Sequence, residues 1–261
     1  MAFFNIIIPS YNCEKTLKRA VDSVKKQTFK DYTLTIVDDC STDNTREVIR
    51  DIDEVDVIML TEKRFNGGTR NVGVYDSVKG EYIIFLDCDD EFVSDDFLEK
   101  LHNLIVNENY PDMVRLPYEV YYDDTIDDIK AGTTLLKVVQ ITKEKSVADV
   151  ACSSKVAPWT KAVKAELFRP FPENTLMEDV AQHLAQCDVT ETVAWFSEPV
   201  VKWHINKKST SHNESPKWQS SAWRFIADLM DLELKKQYTR ERRDYKLRKA
   251  KENLLNGKAS Q

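Results

Sequence analysis

The chain has 261 residues, of which 42% are apolar and 31% are charged, and its net charge is −7. This composition is typical of a globular domain and excludes a disordered or collagen-like chain. No run approaches the roughly 18 consecutive apolar residues of a transmembrane helix. The N-terminal stretch MAFFNIIIPSYN lacks a basic region and a small-residue cleavage site. It is therefore predicted to be the first strand of the fold rather than a signal peptide.

The five cysteines bear on the cellular compartment. They stand at positions 13, 40, 88, 152 and 187, scattered and without CxxC spacing. This usage favours a reducing cytoplasm and argues against both a disulfide framework and a zinc site.

Segments typical of strands and helices alternate through the first 92 residues. FNIIIP, YTLTIVDD, VDVIMLT and EYIIFLD are predicted strands. Helices are predicted in the segments between these strands. Apolar residues recur at helical spacing in EKTLKRAVDSVKKQT, and N-cap residues open CSTDNTREVIRDI. A Gly-containing turn that leads into a helix is predicted for NGGTRNVGVYDSV. This alternation predicts an α/β fold, with a Rossmann-like, mostly parallel central sheet flanked by helices.

Conspicuous polar residues follow the predicted strands. They are Ser10, Tyr11 and Asn12, then Asp38 and Asp39, then Asn66 to Arg70, and finally Asp87 to Asp90. In open parallel sheets, ligands bind in the crevice beyond the carboxyl ends of the strands. The sequence therefore predicts a binding site at this edge of the sheet.

The stretch IIFLDCDDEF (83–92) places four carboxylates within five residues. Asp87 and Asp89 straddle one residue at the end of a strand, so both side chains can turn towards one point. Two hard oxygen ligands suit Mg²⁺ or Mn²⁺, and Mg²⁺ typically takes one or two carboxylates plus substrate phosphates. The alternative is a solvated acidic turn before the next helix, but the position after a fourth parallel strand favours the metal site.

Four motifs resemble, in their sequence and order, those of the family 2 glycosyltransferases, which are inverting enzymes with a GT-A fold. They are FNIIIPSYN, TIVDDCSTDNT, NGGTRNVG and EYIIFLDCDDEF. The similarity runs through residues 3–92 and resumes in APWTKAVKAELF (157–168) and RPFPENTLMEDVAQHLAQ (169–186). It implies a GT-A domain over residues 1–212, with a nucleotide-sugar half over about 1–92 and an acceptor half over about 93–212. Residues 115–150 and those beyond 212 carry no motif that contributes to this similarity.

The resemblance implies roles for individual residues on the donor side. Tyr11 would lie against the base, Asp39 would accept a hydrogen bond from the base or ribose, and Asp89 would hold a metal bridging the two phosphates. The full set expected to bind the nucleotide sugar is Pro9, Ser10, Tyr11, Asn12, Asp39, Arg70, Asn71, Asp87, Cys88, Asp89, Lys207 and Lys208. The family most often has Gly at the position of Cys40 and Ala at that of Thr69.

On the acceptor side, the resemblance makes Asp179 of MEDV the catalytic base. A carboxylate within reach of an attacking hydroxyl is worth about 10²–10⁴-fold in rate. Without the upstream motifs, Glu178 and Asp179 would be interpreted as first-turn acids favoured by a helix dipole. Trp159 has two interpretations, a wall against the acceptor sugar and a core residue.

Two further predictions concern the segment VVKWHINKKSTSHN. His204 is a candidate third metal or diphosphate ligand besides Asp87 and Asp89, and a structural or solvated histidine is the alternative. Lys207 and Lys208 would close over the diphosphate as part of a flexible basic loop, a role that binding-site loops often play. A solvated loop is the competing interpretation.

The C-terminal extension, residues 213–261, is predicted to be helical and basic. The last 27 residues hold ten basic and three acidic residues, whereas the other 234 hold 27 basic and 41 acidic ones. The first half of the extension has apolar residues at helical spacing and should pack on the domain. The second half would be solvated, or would contact an anionic surface such as a membrane leaflet or another polyanion.

The sequence thus predicts a metal-dependent inverting glycosyltransferase that uses a nucleotide-diphospho-sugar, with a UDP-linked donor expected, and a hydroxyl of a glycan or lipid-linked acceptor. A cytoplasmic location with peripheral membrane contact would fit this activity. Alternatives are transfer to a modified DNA base, a nucleotidyltransferase and a non-catalytic nucleotide-sugar-binding module. A nucleotidyltransferase would normally show a Gly-rich basic loop after the first strand, and IPSYNCEKT has no such loop. A non-catalytic binding module would be expected to lose Asp89 or the Glu178–Asp179 pair, and this chain has both.

Overall fold

The computed structural model describes residues 1–77, 79–122, 134–139, 146–152, 156–173, 175, 177–205 and 226–255. Its first half contains β1 (Ala2–Ser10), α1 (Leu17–Lys25), β2 (Tyr32–Asp38), α2 (Thr45–Arg50), β3 (Asp56–Met59), α3 (Phe65–Asp76), β4 (Gly80–Phe85), β5 (Glu91–Phe92) and α4 (Phe97–Asn107). Its second half contains β6 (Met113–Arg115), β7 (Tyr118–Tyr122), β8 (Thr134–Val139), α5 (Val147–Cys152), β9 (Lys161–Lys164), α6 (Glu178–Val189), β10 (Val193–Trp195), β11 (Val201–Ile205), α7 (residues 226–231) and α8 (Gln237–Leu255). Short 3-10 helices cover Pro158–Thr160 and Ala165–Leu167.

The central sheet has seven strands in the order β10-β6-β9-β4-β1-β2-β3. All neighbouring strands are parallel except β9, which is antiparallel to both β4 and β6. The predicted mostly parallel α/β sheet is therefore confirmed. The four strands predicted in the first 92 residues are β1, β2, β3 and β4, and they form one side of this sheet.

Strand β1 explains why the sheet is covered on both faces. Its isoleucines alternate: Ile6 and Ile8 belong to the core shared with α1, whereas Ile7 belongs to the core shared with α3 and the segment around Phe171. Both faces of a parallel strand are buried in such folds, so its sequence is a nearly continuous apolar run. Gly73 of α3 allows the close approach, because a Cβ there would lie 2.5 Å from Ile7 Cγ2.

The sequence predicted NGG as a turn before a helix, and the structure shows it inside the first turn of α3. Gly67 is needed there for packing, since a Cβ at this position would lie 2.4 Å from the carbonyl oxygen of Pro172. Helix α3 is thereby placed directly against the segment that leads into α6.

A second, four-stranded sheet was not predicted. Its order is β5-β11-β7-β8, with β11 parallel to β7 and the other pairs antiparallel. Strand β5 has only two residues, Glu91 and Phe92, directly after the acidic stretch that follows β4. This sheet ties the acidic stretch to β11, the strand that carries His204.

The C-terminal extension was predicted as helical from about residue 217, and α7 and α8 bear out a helical character where the structure describes it. The helix is interrupted at residues 232–236. Ile226, Leu229 and Leu234 are buried against Val180 and Leu184 of α6. Trp223 and the predicted boundary at residues 212 and 213 lie outside the described residues. In the part of the chain that the structure describes, no helix is both long and apolar enough to span a bilayer.

Candidate active site

The loops after β1, β2 and β4 meet at the carboxyl edge of the central sheet, as predicted. The backbone N–H of Asp39 donates to the carbonyl of Ser10 at 2.8 Å, and that of Leu86 donates to Ile7 at 3.1 Å. Residues 9–12, 39–41 and 87–90 are called the donor loops below. Their positions at the ends of predicted parallel strands predicted this assembly into one site, and the register of β1 with β2 and β4 brings them together.

Two backbone conformations shape the donor loops. Asn12 and Cys40 have φ angles of 50° and 61°, in the left-handed region that favours glycine. Asn12 compensates with its side chain, whose Oδ1 accepts a hydrogen bond from the N–H of Thr42 at 2.8 Å. At position 40 the family most often has Gly, and the structure shows why: a non-glycine residue in this conformation costs about 1–2 kcal/mol.

The first donor loop separates buried from accessible residues. Pro9 and Ser10 are buried at the end of β1, and Ser10 Oγ lies 3.1 Å from Cys13 Sγ. Tyr11, by contrast, is 43% exposed, and the Lys63 Nζ lies 2.9 Å from its ring centroid. Of these residues, Tyr11 has the ring surface on which a base can stack.

Asp39 is buried and anchors the start of α3. Its carboxylate accepts hydrogen bonds from the backbone N–H groups of Arg64, at 2.6 Å, and Phe65, at 2.9 Å. Phe65 has a φ of 57°, so the chain turns sharply there into the helix. Each carboxylate oxygen has a second lone pair. The predicted contact of Asp39 with a base or ribose would therefore add to this anchoring.

Arg70 of α3 connects the donor loops to the acceptor side. Its guanidinium is buried and forms ion pairs with Asp87 at 2.7 Å and with Glu178 at 2.9 Å. The adjacent Asn71 exchanges two hydrogen bonds with the backbone of Phe171, both at 2.9 Å. These residues, which the resemblance places among those that bind the nucleotide sugar, hold α3 against both halves of the site.

Asp87 and Asp89 present two partly exposed carboxylates at the end of β4. Asp87 is held by Arg70, whereas Asp89 forms no ion pair with any described residue. Burial, together with the neighbouring Asp87, raises the pKa of Asp89 to about 6. The Arg19 guanidinium donates to the backbone carbonyl of Asp89 and so fixes the loop.

This arrangement fits a Mg²⁺ or Mn²⁺ ion. A divalent cation would favour the ionised form of both carboxylates and offset the repulsion that raises the pKa of Asp89. Among the described residues, no group of three or more His, Cys, Asp or Glu side chains is arranged to hold a metal. A site with two carboxylates would therefore need phosphate oxygens and water to complete it, which is the usual situation for Mg²⁺.

His204 lies behind this loop rather than in the open crevice. Its imidazole is buried, with Nε2 3.2 Å from Glu91 Oε1, and its ring stacks on Tyr121. Its backbone N–H donates to Asp90, at 2.9 Å, and Asp90 is fully buried. These contacts secure the loop that carries Asp89, and a role of His204 as a metal ligand stays a prediction. Lys207 and Lys208 lie outside the described residues.

The acceptor side begins at the first turn of α6. Glu178 is 5% exposed and paired with Arg70, while Asp179 is partly exposed and accepts a hydrogen bond from the N–H of Val180 at 2.9 Å. Burial raises the pKa of Glu178 to about 7. Asp179, not Glu178, has the access to solvent that a base acting on an acceptor hydroxyl requires.

Several cations influence the pKa of Asp179, and sequence reasoning missed two of them. Burial raises the pKa of this carboxyl, whereas Lys161, Arg70 and Lys246 lower it. Lys161 is 2% exposed, donates to the carbonyl of Val156 at 3.0 Å, and lies opposite Arg115 in the β6–β9 pair. Burial and Arg115 lower the pKa of Lys161 to about 7. The set Lys161, Glu178, Asp179 and Lys246 is called the base cluster below.

The signal for Lys161 was present in the sequence but ambiguous. In APWTKAV a lysine stands between an aromatic and an apolar segment, a pattern that a solvated turn would also produce. Trp159, two residues earlier, is a core residue. It is 4% exposed, with its ring centroid 4.8 Å from that of Tyr118 and 6.1 Å from that of Trp203. The alternative of an acceptor-facing wall is therefore not supported.

Comparisons with known proteins agree with this geometry. Residues 5–146 match the family described as Glycosyl transferase family 2, so the match extends beyond the motifs recognised in residues 3–92. Glycosyltransferase GlyA of Streptococcus pneumoniae is 26% identical over 98% of this chain and 38% of its own length. The Escherichia coli protein WfaP, named UDP-Glc:alpha-D-GlcNAc-diphosphoundecaprenol beta-1,3-glucosyltransferase, is 36% identical over 39% of this chain and 41% of its own length.

Among solved structures, residues 1–349 of S. aureus TarS in complex with UDP-GlcNAc superpose with a TM-score of 0.70. The identity is 19%, over 95% of this chain and 72% of that one, and this likeness shows the shared fold. The chain spans only about two fifths of the length of GlyA and of WfaP. Because the family match covers more than half of the residues, the chain belongs to glycosyl transferase family 2.

Proposed function

We propose that the chain transfers a glycosyl group from a nucleotide-diphospho-sugar to an acceptor hydroxyl, with inversion at the anomeric carbon. One observation carries the proposal: Arg70 pairs with Asp87 of the donor loops and with Glu178, the residue before Asp179. The candidate metal site and the candidate base are thereby held on either side of one buried guanidinium. A sugar between them would have its leaving group on one side and its nucleophile on the other.

The donor side is assigned to the nucleotide diphosphate. Asp89 and Asp87 would hold Mg²⁺ or Mn²⁺, which supplies Lewis-acid stabilisation of the charge that develops on the leaving diphosphate. Tyr11 would stack on the base, and Asp39 would accept a hydrogen bond from the base or ribose. The Arg70 and Asn71 contacts keep α3 fixed while the donor binds.

The acceptor side is assigned to proton removal. Asp179 would accept the proton of the attacking hydroxyl, because it is partly exposed whereas Glu178 is committed to Arg70. Burial raises the pKa of Asp179, and Lys161 and Arg70 offset part of this effect. A raised pKa makes the ionised carboxylate a stronger proton acceptor. Attack by this hydroxyl on the face opposite the diphosphate gives direct displacement, and hence inversion.

A UDP-linked donor and a lipid-linked or glycan acceptor are the expected substrates. TarS was crystallised with UDP-GlcNAc, and WfaP is named for transfer from UDP-Glc to a diphosphoundecaprenol-linked sugar. Substrates of this kind would place the protein in the cytoplasm, in peripheral contact with a membrane. Because the chain spans only part of these relatives, their whole activities are not transferred to it.

Release of nucleoside diphosphate tests the proposal. The purified chain would be incubated with UDP-glucose, UDP-GlcNAc, UDP-galactose and GDP-mannose, each with Mn²⁺ or with EDTA. We expect slow hydrolysis of one donor in the presence of metal, and loss of this hydrolysis in Asp89→Asn. Absence of metal-dependent release from every nucleotide sugar, in a protein that binds diphosphates, would favour a non-catalytic binding module.

A further inference from the structure

Helix α8 is fixed against the acceptor half of the site. Asp188, at the end of α6, accepts hydrogen bonds from the backbone N–H groups of Lys235, at 2.9 and 2.8 Å, and Lys236, at 2.7 Å, and from Thr239 Oγ1 at 2.7 Å. Leu247 and Ala250 then pack in one cluster with residues of the first turns of α6: Val180, Ala181 and Leu184. Because Asp179 precedes Val180, the middle of α8 lies beside the candidate base.

Two cations lie on the docked side of α8. Thr239 and Ala250 are 0% and 4% exposed, and Arg242 and Lys246 occupy the positions between them at helical spacing. Arg242 and Lys246 are each partly buried, whereas Lys251 on the same helix is exposed. A basic helix with no role beyond solubility would direct its cations towards water, as α8 does with Lys251.

Among the described residues, the two docked cations lack ion-pair partners of the kind that Lys249 and Arg243 have. Lys249 pairs with Glu252 at 2.8 Å, and Arg243 pairs with Asp244 at 2.9 Å. Arg242 and Lys246 form no ion pair with any described residue, although the Arg242 guanidinium lies 5.0 Å from the Tyr245 ring. Lys246 interacts electrostatically with Arg242, which is repulsive, and with Asp179.

Asp179 is a poor counter-ion for this pair. It already interacts with Lys161 and with Arg70, so one carboxylate faces cations from α3, β9 and α8. Partly desolvated like charges are costly when no anion compensates them. An anionic ligand entering beside Asp179 would compensate the charge of Arg242 and Lys246, with which no acid of the described residues forms an ion pair. Arg and Lys one helical turn apart suit a phosphate, with the guanidinium binding two oxygens and the ammonium acting as a point charge.

We propose that Arg242 and Lys246 bind a phosphate group of the acceptor and so hold the acceptor hydroxyl next to Asp179. This inference rests on the proposed function, and it identifies the acceptor as a phosphate-bearing molecule. It also gives a use at the site to two of the ten basic residues among the last 27. The two cations position the acceptor and take no part in proton transfer.

The test measures phosphate binding at Lys246 directly, in protein freed of metal with EDTA so that the donor site is not used. Reductive ¹³C-methylation keeps each lysine charged and gives it an NMR signal, and Lys246→Gln identifies the signal of Lys246 by its loss. Titration with inorganic phosphate should shift this signal. Arg242→Gln should weaken the binding about tenfold, the effect of one charge-assisted hydrogen bond, and Lys251→Gln should leave it unchanged.

Two results would overturn the inference: a Lys246 signal that does not respond to phosphate, and a response weakened equally by Arg242→Gln and Lys251→Gln. Vesicles of phosphatidylglycerol, with phosphatidylcholine as the control, test a lipid headgroup as the source of the phosphate. The protein is sedimented together with the vesicles. If Arg242→Gln reduces the amount that sediments and Lys251→Gln does not, the site is supported and a lipid headgroup is its ligand. Equal reduction in both variants indicates general adsorption and contradicts the site. The phosphate and vesicle measurements use no sugar donor, so their outcome is independent of the donor-hydrolysis assay. If wild type failed to release diphosphate in that assay, the proposed function would be overturned, but the phosphate site would not.

Discussion

The donor loops and the base cluster are built in different ways. The donor loops follow three neighbouring parallel strands of the central sheet, β4, β1 and β2, and the carboxylates of Asp87 and Asp89 are partly exposed there. The base cluster combines residues from β9, α6 and α8, and in it two acids are surrounded by buried or half-buried cations. An acidic site is suited to receive a divalent cation, whereas Asp179, whose pKa is raised by burial, is suited to accept a proton.

The largest expected effect is the loss of transfer activity on removal of the candidate base, a change that should leave the donor loops unaffected. Asp179→Asn removes the base but leaves the donor loops intact, so transfer should fall about 10²–10⁴-fold with unchanged affinity for the donor diphosphate. Transfer rates and calorimetric affinities of the same preparation would be compared. Asp188→Asn is not a suitable control, because Asp188 caps α8; Asp149→Asn, at an exposed position of α5, is suitable. Weakened diphosphate binding with a normal transfer rate would show that the base is wrongly assigned.

The next effect concerns the donor loops. Asp89→Asn should lower metal-dependent turnover about 10²–10³-fold, because the stabilisation of the leaving diphosphate is lost. The fold should be unaffected, since Asp89 forms no ion pair with described residues. Asp95→Asn, exposed a few residues later, is the matched control. Near-normal turnover of Asp89→Asn over a range of Mn²⁺ concentrations would remove the metal site from this loop.

Base stacking should have a smaller effect. Tyr11→Ala is expected to weaken diphosphate binding by about 1–3 kcal/mol, the cost of losing one aromatic platform for a base. Tyr75→Ala, at a ring that is 55% exposed on α3, serves as the control. Calorimetry with the preferred diphosphate would measure the change, and equal affinities for wild type and Tyr11→Ala would place the base elsewhere.

The smallest expected effect is a shift in pH dependence. A cation lowers the pKa of a neighbouring carboxyl, so Lys161→Met should raise that of Asp179. Because the base must be ionised, activity rises as pH increases through this pKa, and the variant should need a higher pH for the same activity. Lys164→Met, at the other end of β9, is the control. A shift towards lower pH would contradict the role of Lys161.

The contrast between the two regions also explains how much the sequence could predict. Each donor loop is a contiguous motif after an apolar strand, so strand periodicity and family resemblance together located Asp39, Asp87 and Asp89 at one edge. Lys161 lies 18 residues before Asp179 in an antiparallel strand, and Lys246 lies 67 residues after it, so no local pattern connects them.

The second sheet escaped prediction for a related reason. Strand β5 is two residues long, too short for any periodicity to appear, and it pairs with β11 more than 100 residues away. The extension was predicted as one helical stretch because its spacing continues through residues 232–236. The break arises from Asp188, which takes the N–H groups of Lys235 and Lys236 and so starts a new helix.

The most direct test of the central claim is calorimetric titration of the chain with UDP, GDP, CDP and ADP, each with and without Mn²⁺, on wild type and Asp89→Asn. We expect one diphosphate, UDP, to bind wild type only when Mn²⁺ is present, and we expect Mn²⁺ to give no such binding in Asp89→Asn. Binding of no diphosphate, or binding that is equally strong without metal, would contradict this claim.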